Sequence, residues 1–366
     1  MGNRVYNFSA GPACLPESVI KQAQKDLWDI FDSGIGIMEH SHRNKYFDRV
    51  THETEADCRA VGDVPEEYSI FWMQGGATSQ CYMVPANFLA EDRTADYFDT
   101  GKWAQDSIAE VHHYGKLNVC GSSKDAGYNH IPKGDAVKYS EDPAYVQFTS
   151  NNTIMGTEFK ALPETPGGSF LVADMSSNIY SRPIDVSRYG LIYAGAQKNL
   201  GPSGTTLLIA KTDLIENPVR ELPKMMRYGL MAKKEGRFNT PNTFGVYLMG
   251  QVFKWILAEG GLVAMDEMNT EKAGILYDFI DSDSFYTPHA LKEDRSLMNI
   301  TFKCPTAELD GVFLEQAEKL GLTTLAGHRS IGGMRASIYN AFPKAGVVAL
   351  VEFMKAFALE HAGAKA

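Results

Sequence analysis

Between residues 66 and 210, short apolar runs alternate with segments in which apolar positions recur every three or four residues. The runs are Tyr68 to Met73, Thr94 to Asp99, Tyr145 to Thr149, Ser169 to Asp174, a stretch opening at Leu191, and Thr205 to Ala210. Each has strand length, and glycine, proline or small polar residues lie around most of them. Helical periodicity predicts a helix from Pro16 to about Phe31, with Val19, Ile20, Ala23 and Leu27 on one side, and others over Asp48 to Val61 and Cys81 to Phe88. Strands alternating with helices argue an α/β fold around a mainly parallel sheet. Asn118 to Val137 is polar and glycine-rich and reads as a surface excursion.

Further along, a long apolar helix is expected over Phe244 to Ala258, and Gly260-Gly261 marks a hinge. The remainder reads as a second, smaller α/β unit. Its parts are a helix (Val263 to Ile280), a strand (Leu297 to Phe302), a helix (Ala307 to Leu320), strand-like pieces around His328 to Ile338, and a helix (Lys344 to His361).

Charge narrows the function classes. The net charge of −10, without a basic tail, argues against nucleic acid or an anionic membrane as partner. An anionic substrate would need its cations concentrated locally. The five cysteines are widely spaced, odd in number and form no CxxC pair, so neither a zinc site nor a disulfide framework is suggested, and no metal is expected. With no apolar leader and no run near eighteen apolar residues, the chain reads as cytoplasmic.

The candidate chemistry centres on Lys198. It follows a buried-strand pattern, in a tight loop that a Gly-Pro-x-Gly turn returns to the sheet. An amine that loses hydration there becomes a nucleophile toward carbonyls. Alone, it reads more readily as a solvated loop lysine. Asp174, twenty-four residues earlier at the end of another apolar run, changes that reading. One strand and one connection would bring the two to neighbouring strand ends, and pyridoxal phosphate needs such an amine and such a carboxylate on its ring nitrogen. Gln74-Gly75-Gly76-Ala77-Thr78 joins a strand to a helix, which suits an anion as well as a plain tight turn. Trp103 follows a glycine at a strand end, where it could stack on an aromatic cofactor or fill a core.

Longer strings carry a resemblance. Asn7-Phe8-Ser9-Ala10-Gly11-Pro12, Ser41-His42-Arg43, Ser181 through Gly190 (SRPIDVSRYG), Ala194-Gly195-Ala196-Gln197-Lys198-Asn199, Phe238-Asn239-Thr240-Pro241, and Gly327-His328-Arg329 through Asn340 occur in that order. Nearly end to end, the chain resembles the phosphoserine aminotransferases, class-V pyridoxal-phosphate enzymes of the aspartate-aminotransferase-like fold (fold type I).

The resemblance implies a large cofactor-binding domain over 16–259 and a small domain from 1–15 and 260–366. It implies transamination of 3-phosphohydroxypyruvate with L-glutamate, giving O-phospho-L-serine and 2-oxoglutarate in serine biosynthesis. A phosphorylated hydroxythreonine of vitamin B6 synthesis is a further candidate substrate. Lys198 would carry pyridoxal 5′-phosphate and move the proton, Asp174 would pair with the ring nitrogen, and Trp103 would stack on the ring. Thr153 would reach the ring hydroxyl. The amides of Ala77 and Thr78, with Gln197, would hold the cofactor phosphate, and Asn239 and Thr240 would reach it from the other subunit of a homodimer with shared sites. Arg335 would clamp the substrate α-carboxylate. His42, Arg43, His328 and Arg329 would surround the distal phosphate or carboxylate. The chain departs from the pattern at Thr78, where many family members carry arginine. A serine–glyoxylate type aminotransferase is the nearest rival reading, and a non-catalytic scaffold of the same fold is a more distant one.

Overall fold

The computed structural model describes residues 4–363. Seven strands form the central sheet: β1 (Tyr68–Met73), β2 (Thr94–Asp99), β3 (Lys116–Ser122), β4 (Tyr145–Thr149), β5 (Phe170–Asp174), β6 (Tyr189–Gly195) and β7 (Thr206–Lys211). Their order is β3-β2-β4-β5-β6-β7-β1. β7 runs antiparallel to both β6 and β1, and the other pairings are parallel.

Side chains of one strand alternate between two cores, as a two-residue period requires. In β6, Ile192 and Ala194 join one hydrophobic cluster while Leu191 and Tyr193 join another. In β7, Leu207 and Ile209 divide from Leu208 and Ala210 in the same way. Both sheet faces are therefore covered, which is why these strands read as continuous apolar runs. Each such aliphatic side chain contributes about 1.5–3 kcal/mol on burial. The first core lies under α1 (Lys45–Gly62) and α4 (Thr243–Ala258). The second lies under α2 (Gly76–Phe88) and the short helix Tyr228–Lys233. A further helix, α3 (Lys102–Val111), follows β2.

A separate core gathers residues from the C-terminal third of the chain. Phe285, Tyr286, Phe302, Phe313, Phe353 and Phe357 pack there, several edge to face. The antiparallel strands Thr287–Pro288, Asn299–Lys303 and Met334–Ser337 and the helices α5 (Gly261–Ser282), α6 (Ala307–Lys319) and α7 (Lys344–Glu360) supply most of it. Phe8 is buried in this same core, next to the strand Tyr6–Asn7, which pairs in parallel with Leu322–Thr323.

Three elements differ from the sequence reading. Lys116–Ser122 is a strand rather than part of a surface excursion. It is the sheet's edge, so Lys116, Leu117, Val119 and Ser122 are exposed and its pattern looks polar. α2 begins at Gly76 rather than Cys81, because the left-handed turn at Gly75 (φ 97°) leads straight into it and its first turn is too small and polar to show periodicity. The first N-terminal helix spans Glu17–Asp26 and stops short of Phe31, where Phe31 and Asp32 take positive φ (58° and 53°).

Candidate active site

The site lies where the parallel strands end. β5 delivers Asp174, and its neighbour β6 runs into the loop that carries Lys198. That loop closes on itself: Ala196 N donates to Thr205 O (2.9 Å) and Gly201 N to Ala196 O (2.8 Å). The Lys198 ammonium donates to Thr153 Oγ1 at 2.6 Å and lies 5.8 Å from the centroid of the Trp103 ring. Burial pushes the Lys198 amine down to about 8; Asp174 opposes that fall, and the nearby Arg335 charge adds to it. A lysine in this state is partly neutral at physiological pH, which nucleophilic amine chemistry requires.

Asp174 is held firmly. Its Oδ1 accepts from Ser176 N (2.9 Å) and Ser176 Oγ (2.6 Å), while Ser176 Oγ accepts from Gly195 N (3.0 Å). One serine thus ties the ends of β5 and β6 together. Both bonds fall on Oδ1, so Oδ2 has no hydrogen-bond partner among the described residues.

The glycine turn Gly75-Gly76 carries φ of 97° and 65°, and a Cβ at Gly75 would sit 2.8 Å from Ser79. Ala77 and Thr78 follow within the first helical turn of α2, whose leading amides have no intrahelical partner. Trp103 is 40 % exposed at the start of α3, with its ring open to a stacking partner. Asn152 secures the preceding turn by donating to Thr100 O, and a Cβ at Gly101 would collide with it. Gln197 accepts Ala13 N on its backbone oxygen (2.9 Å). Gly11 covers the lysine, since a Cβ there would approach Lys198 Cγ to 3.3 Å at φ 142°. The N-terminal segment is therefore part of the site wall.

Arg335 reaches in from the strand Met334–Ser337 and donates to Thr153 O at 3.3 Å. It makes no salt bridge among the described residues. A half-buried guanidinium without a carboxylate, next to a lysine, suits an anion by its bidentate geometry. His328 and Arg329 occupy the adjoining turn, where His328 Nδ1 pairs with Ser330 Oγ at 2.8 Å. Burial, then the charges of Arg335, Arg329 and Lys102, make His328 harder to protonate.

His42 and Arg43 are placed elsewhere. They line a cavity of about 310 Å³ with Lys233, Lys234, Glu235 and Arg237. Beyond burial, the charges bearing on His42 are Arg43 and Arg237, none of which bears on His328. Within one chain, then, the two His-Arg pairs form separate cationic groups. The turn at Asn239 and Thr240 has a local partner that the sequence hides: Asn239 Nδ2 donates to Gln74 Oε1 (2.9 Å), and Gln74 Nε2 donates to Thr240 O (3.3 Å). Asn239 Oδ1 is buried without a partner. Sequence reasoning also missed Gln74, Ser176, Asn152 and Gly11. Gly11 and Gln74 stand in strings quoted above, but nothing in those strings gave either a role of its own.

These residues fit an anionic aromatic aldehyde. An amine with lowered proton affinity, a carboxylate with one oxygen free, an exposed indole, a helix N-terminus with glycine clearance and unpaired cations are the donor set that pyridoxal phosphate requires. Fold and site together define a fold-type-I pyridoxal-phosphate enzyme. The chain belongs to the aminotransferase class-V family, whose profile matches residues 5–350.

Its relatives narrow the class. A phosphoserine aminotransferase of Desulfotalea psychrophila is 49% identical over 361 residues, covering 99% of each chain. The solved phosphoserine aminotransferase of Bacillus circulans subsp. alkalophilus superposes with a TM-score of 0.96 at 43% identity, covering 98% of this chain and 100% of that one. The pyridoxal-phosphate-bound phosphoserine aminotransferase of Trichomonas vaginalis gives 0.92 at 38% identity, covering 96% and 100%.

Proposed function

We propose that the chain is a pyridoxal-phosphate-dependent phosphoserine transaminase. It converts 3-phosphohydroxypyruvate and L-glutamate to O-phospho-L-serine and 2-oxoglutarate, reversibly and in two half-reactions. The observation that carries this reading is the half-buried, unpaired Arg335 beside Lys198, with His328 and Arg329 at its flank, on a chain of net charge −10. Such a concentration of cations fits a substrate with anionic groups at both ends. The full-length relatives named above carry the same activity in their names.

When bound, pyridoxal phosphate supplies an electron sink for the charge left at the substrate Cα. Lys198 would hold the cofactor and would carry the substrate's Cα proton, a task that its lowered proton affinity suits. Asp174, fixed through Oδ1 by Ser176, would pair with the cofactor's ring nitrogen and favour its protonated form. Arg335 grips the α-carboxylate by its bidentate face. Trp103 covers the ring, Thr153 orients the amine and the ring hydroxyl, and Gly11 helps to keep water out. The amides of Ala77 and Thr78, with Gln197, take the cofactor phosphate.

The enzyme is a homodimer with shared sites, in which the His42-Arg43 pair and the Asn239-Thr240 turn serve the partner's site. Two features support this. The two His-Arg pairs lie apart within one chain, and the loop leading to His42 exposes Trp28 (86 %) and Met38 (64 %). A cytoplasmic location is supported by five free cysteines, and among the described residues no helix is long and apolar enough to cross a membrane.

Arg43→Ala and Arg329→Ala should each lower kcat/KM for phosphohydroxypyruvate by about 30- to 150-fold, since a charge-assisted hydrogen bond contributes roughly 2–3 kcal/mol. Arg335→Ala should impair every amino-acid substrate alike. Steady-state kinetics on phosphorylated and unphosphorylated acceptors check this, and equal losses on both for Arg43→Ala would reject its assignment.

A further inference from the structure

We propose that Lys102 is a further substrate-binding cation, holding the acceptor's phosphate together with His328 and Arg329 and so setting the preference for phosphorylated over unphosphorylated acceptors. The inference rests on the substrate reading above.

Lys102 opens α3 and directly precedes Trp103, whose ring faces the Lys198 amine. The rest of the helix fixes the direction of this face. Gln105 lies one turn on, at the i+3 position that shares a face with Lys102. Its Nε2 donates to the Tyr128 hydroxyl at 2.6 Å. Tyr128 packs with Ile154, Met155 and Ile331. Ile331 belongs to the turn that begins at His328, closed by Ile331 N donating to His328 O at 2.9 Å. The Lys102 face of α3 is thereby directed to the turn bearing His328 and Arg329, and the Lys102 charge is close enough to bear on His328.

Lys102 is paired with Asp106 one turn along its own helix, and the two side chains are 54 % and 38 % exposed. Exposed pairs of this kind are weak, so the ammonium can leave Asp106 for a dianionic phosphate. A lysine, a compact charge on a flexible stem, suits that exchange. Thr78 brings no charge to the site, and Lys102 supplies one from the helix that follows β2.

The test uses the holoenzyme. Values of kcat/KM for 3-phosphohydroxypyruvate and for hydroxypyruvate are measured in wild type, Lys102→Met and Lys102→Arg. Lys102→Met should lower the phosphorylated-to-unphosphorylated ratio about tenfold, and Lys102→Arg should restore most of it. An NMR titration of the His328 ring adds a readout that a merely structural role would not move. Removing a neighbouring positive charge favours the protonated ring, so its pKa should rise in Lys102→Met. An unchanged ratio, equal losses on both acceptors or an unmoved His328 titration would overturn the proposal. A wild-type enzyme that showed no preference for the phosphorylated acceptor would instead bring down the substrate reading itself.

Discussion

Lys198→Ala is expected to lose transaminase turnover by about a thousandfold or more, in line with the 10²- to 10⁴-fold that a positioned general base contributes. The same variant should keep its fold. Lys198 Nζ has one hydrogen-bond partner among the described residues, Thr153, and burial disfavours its charged form. Deleting it removes a desolvated amine rather than a core contact, so the thermal midpoint of the apo protein should stay the same or rise. Thermal unfolding and single-turnover kinetics on one preparation separate the two effects. Near wild-type turnover would end the assignment.

The second large effect is expected at Asn239→Asp. In the proposed shared site, the variant would bring a carboxylate to the cofactor phosphate. Two like charges about 4 Å apart at an effective dielectric near 20 repel by about 4 kcal/mol, so cofactor affinity should fall roughly a thousandfold. Gln74, the local partner of Asn239, immediately precedes Gly75-Gly76 of the same chain, so a test of which subunit's site the turn serves is needed. Mixed dimers of Lys198→Ala and Asn239→Asp subunits provide it at limiting cofactor. If the turn acts across the interface, one site in each mixed dimer takes Lys198 and Asn239 from opposite chains and is intact, and activity returns on mixing. If it acts within its own chain, every site carries one defect. Continued inactivity, with subunit exchange confirmed by mass, would count against the shared site.

The placement of the candidate site was legible where it coincides with strand ends. Lys198 and Asp174 follow apolar runs whose lengths place them at one edge of the sheet, and the parallel pairing of β5 with β6 makes them neighbours. What stayed hidden depends on tertiary contact. Ser176 looks like any small residue after a strand, yet it joins β5 to β6. Asn152 and Gln74 act through backbone or amide partners far away in sequence. The two His-Arg dipeptides look equivalent in sequence, and only folding separates them. The edge strand β3 was lost because its exposed side chains, Lys116, Leu117, Val119 and Ser122, fall on both rows and blur the two-residue period.

Lys272 shows the same limit and supplies a control. Its lysine is 3 % exposed, and its ammonium donates to the carbonyls of Ile338, Tyr339, Asn340 and Phe342 at 2.7–3.2 Å. Burial pushes it down to about 7, so it too is a lysine with lowered proton affinity. Its four carbonyls hold it in place on α5, where it pins the segment that follows Arg335.

The central claim is that Lys198 is the amine that holds the cofactor. Borohydride treatment of protein reconstituted with pyridoxal phosphate fixes the cofactor covalently to whichever amine holds it, and peptide mapping by mass then locates it. The account predicts a phosphopyridoxyl group on the Lys198 peptide, with the rate of cofactor uptake by the apo protein rising as pH increases through about 8, because the amine reacts only after losing its proton. A label on the Lys272 peptide or on any other lysine, or no covalent label at all, would contradict it.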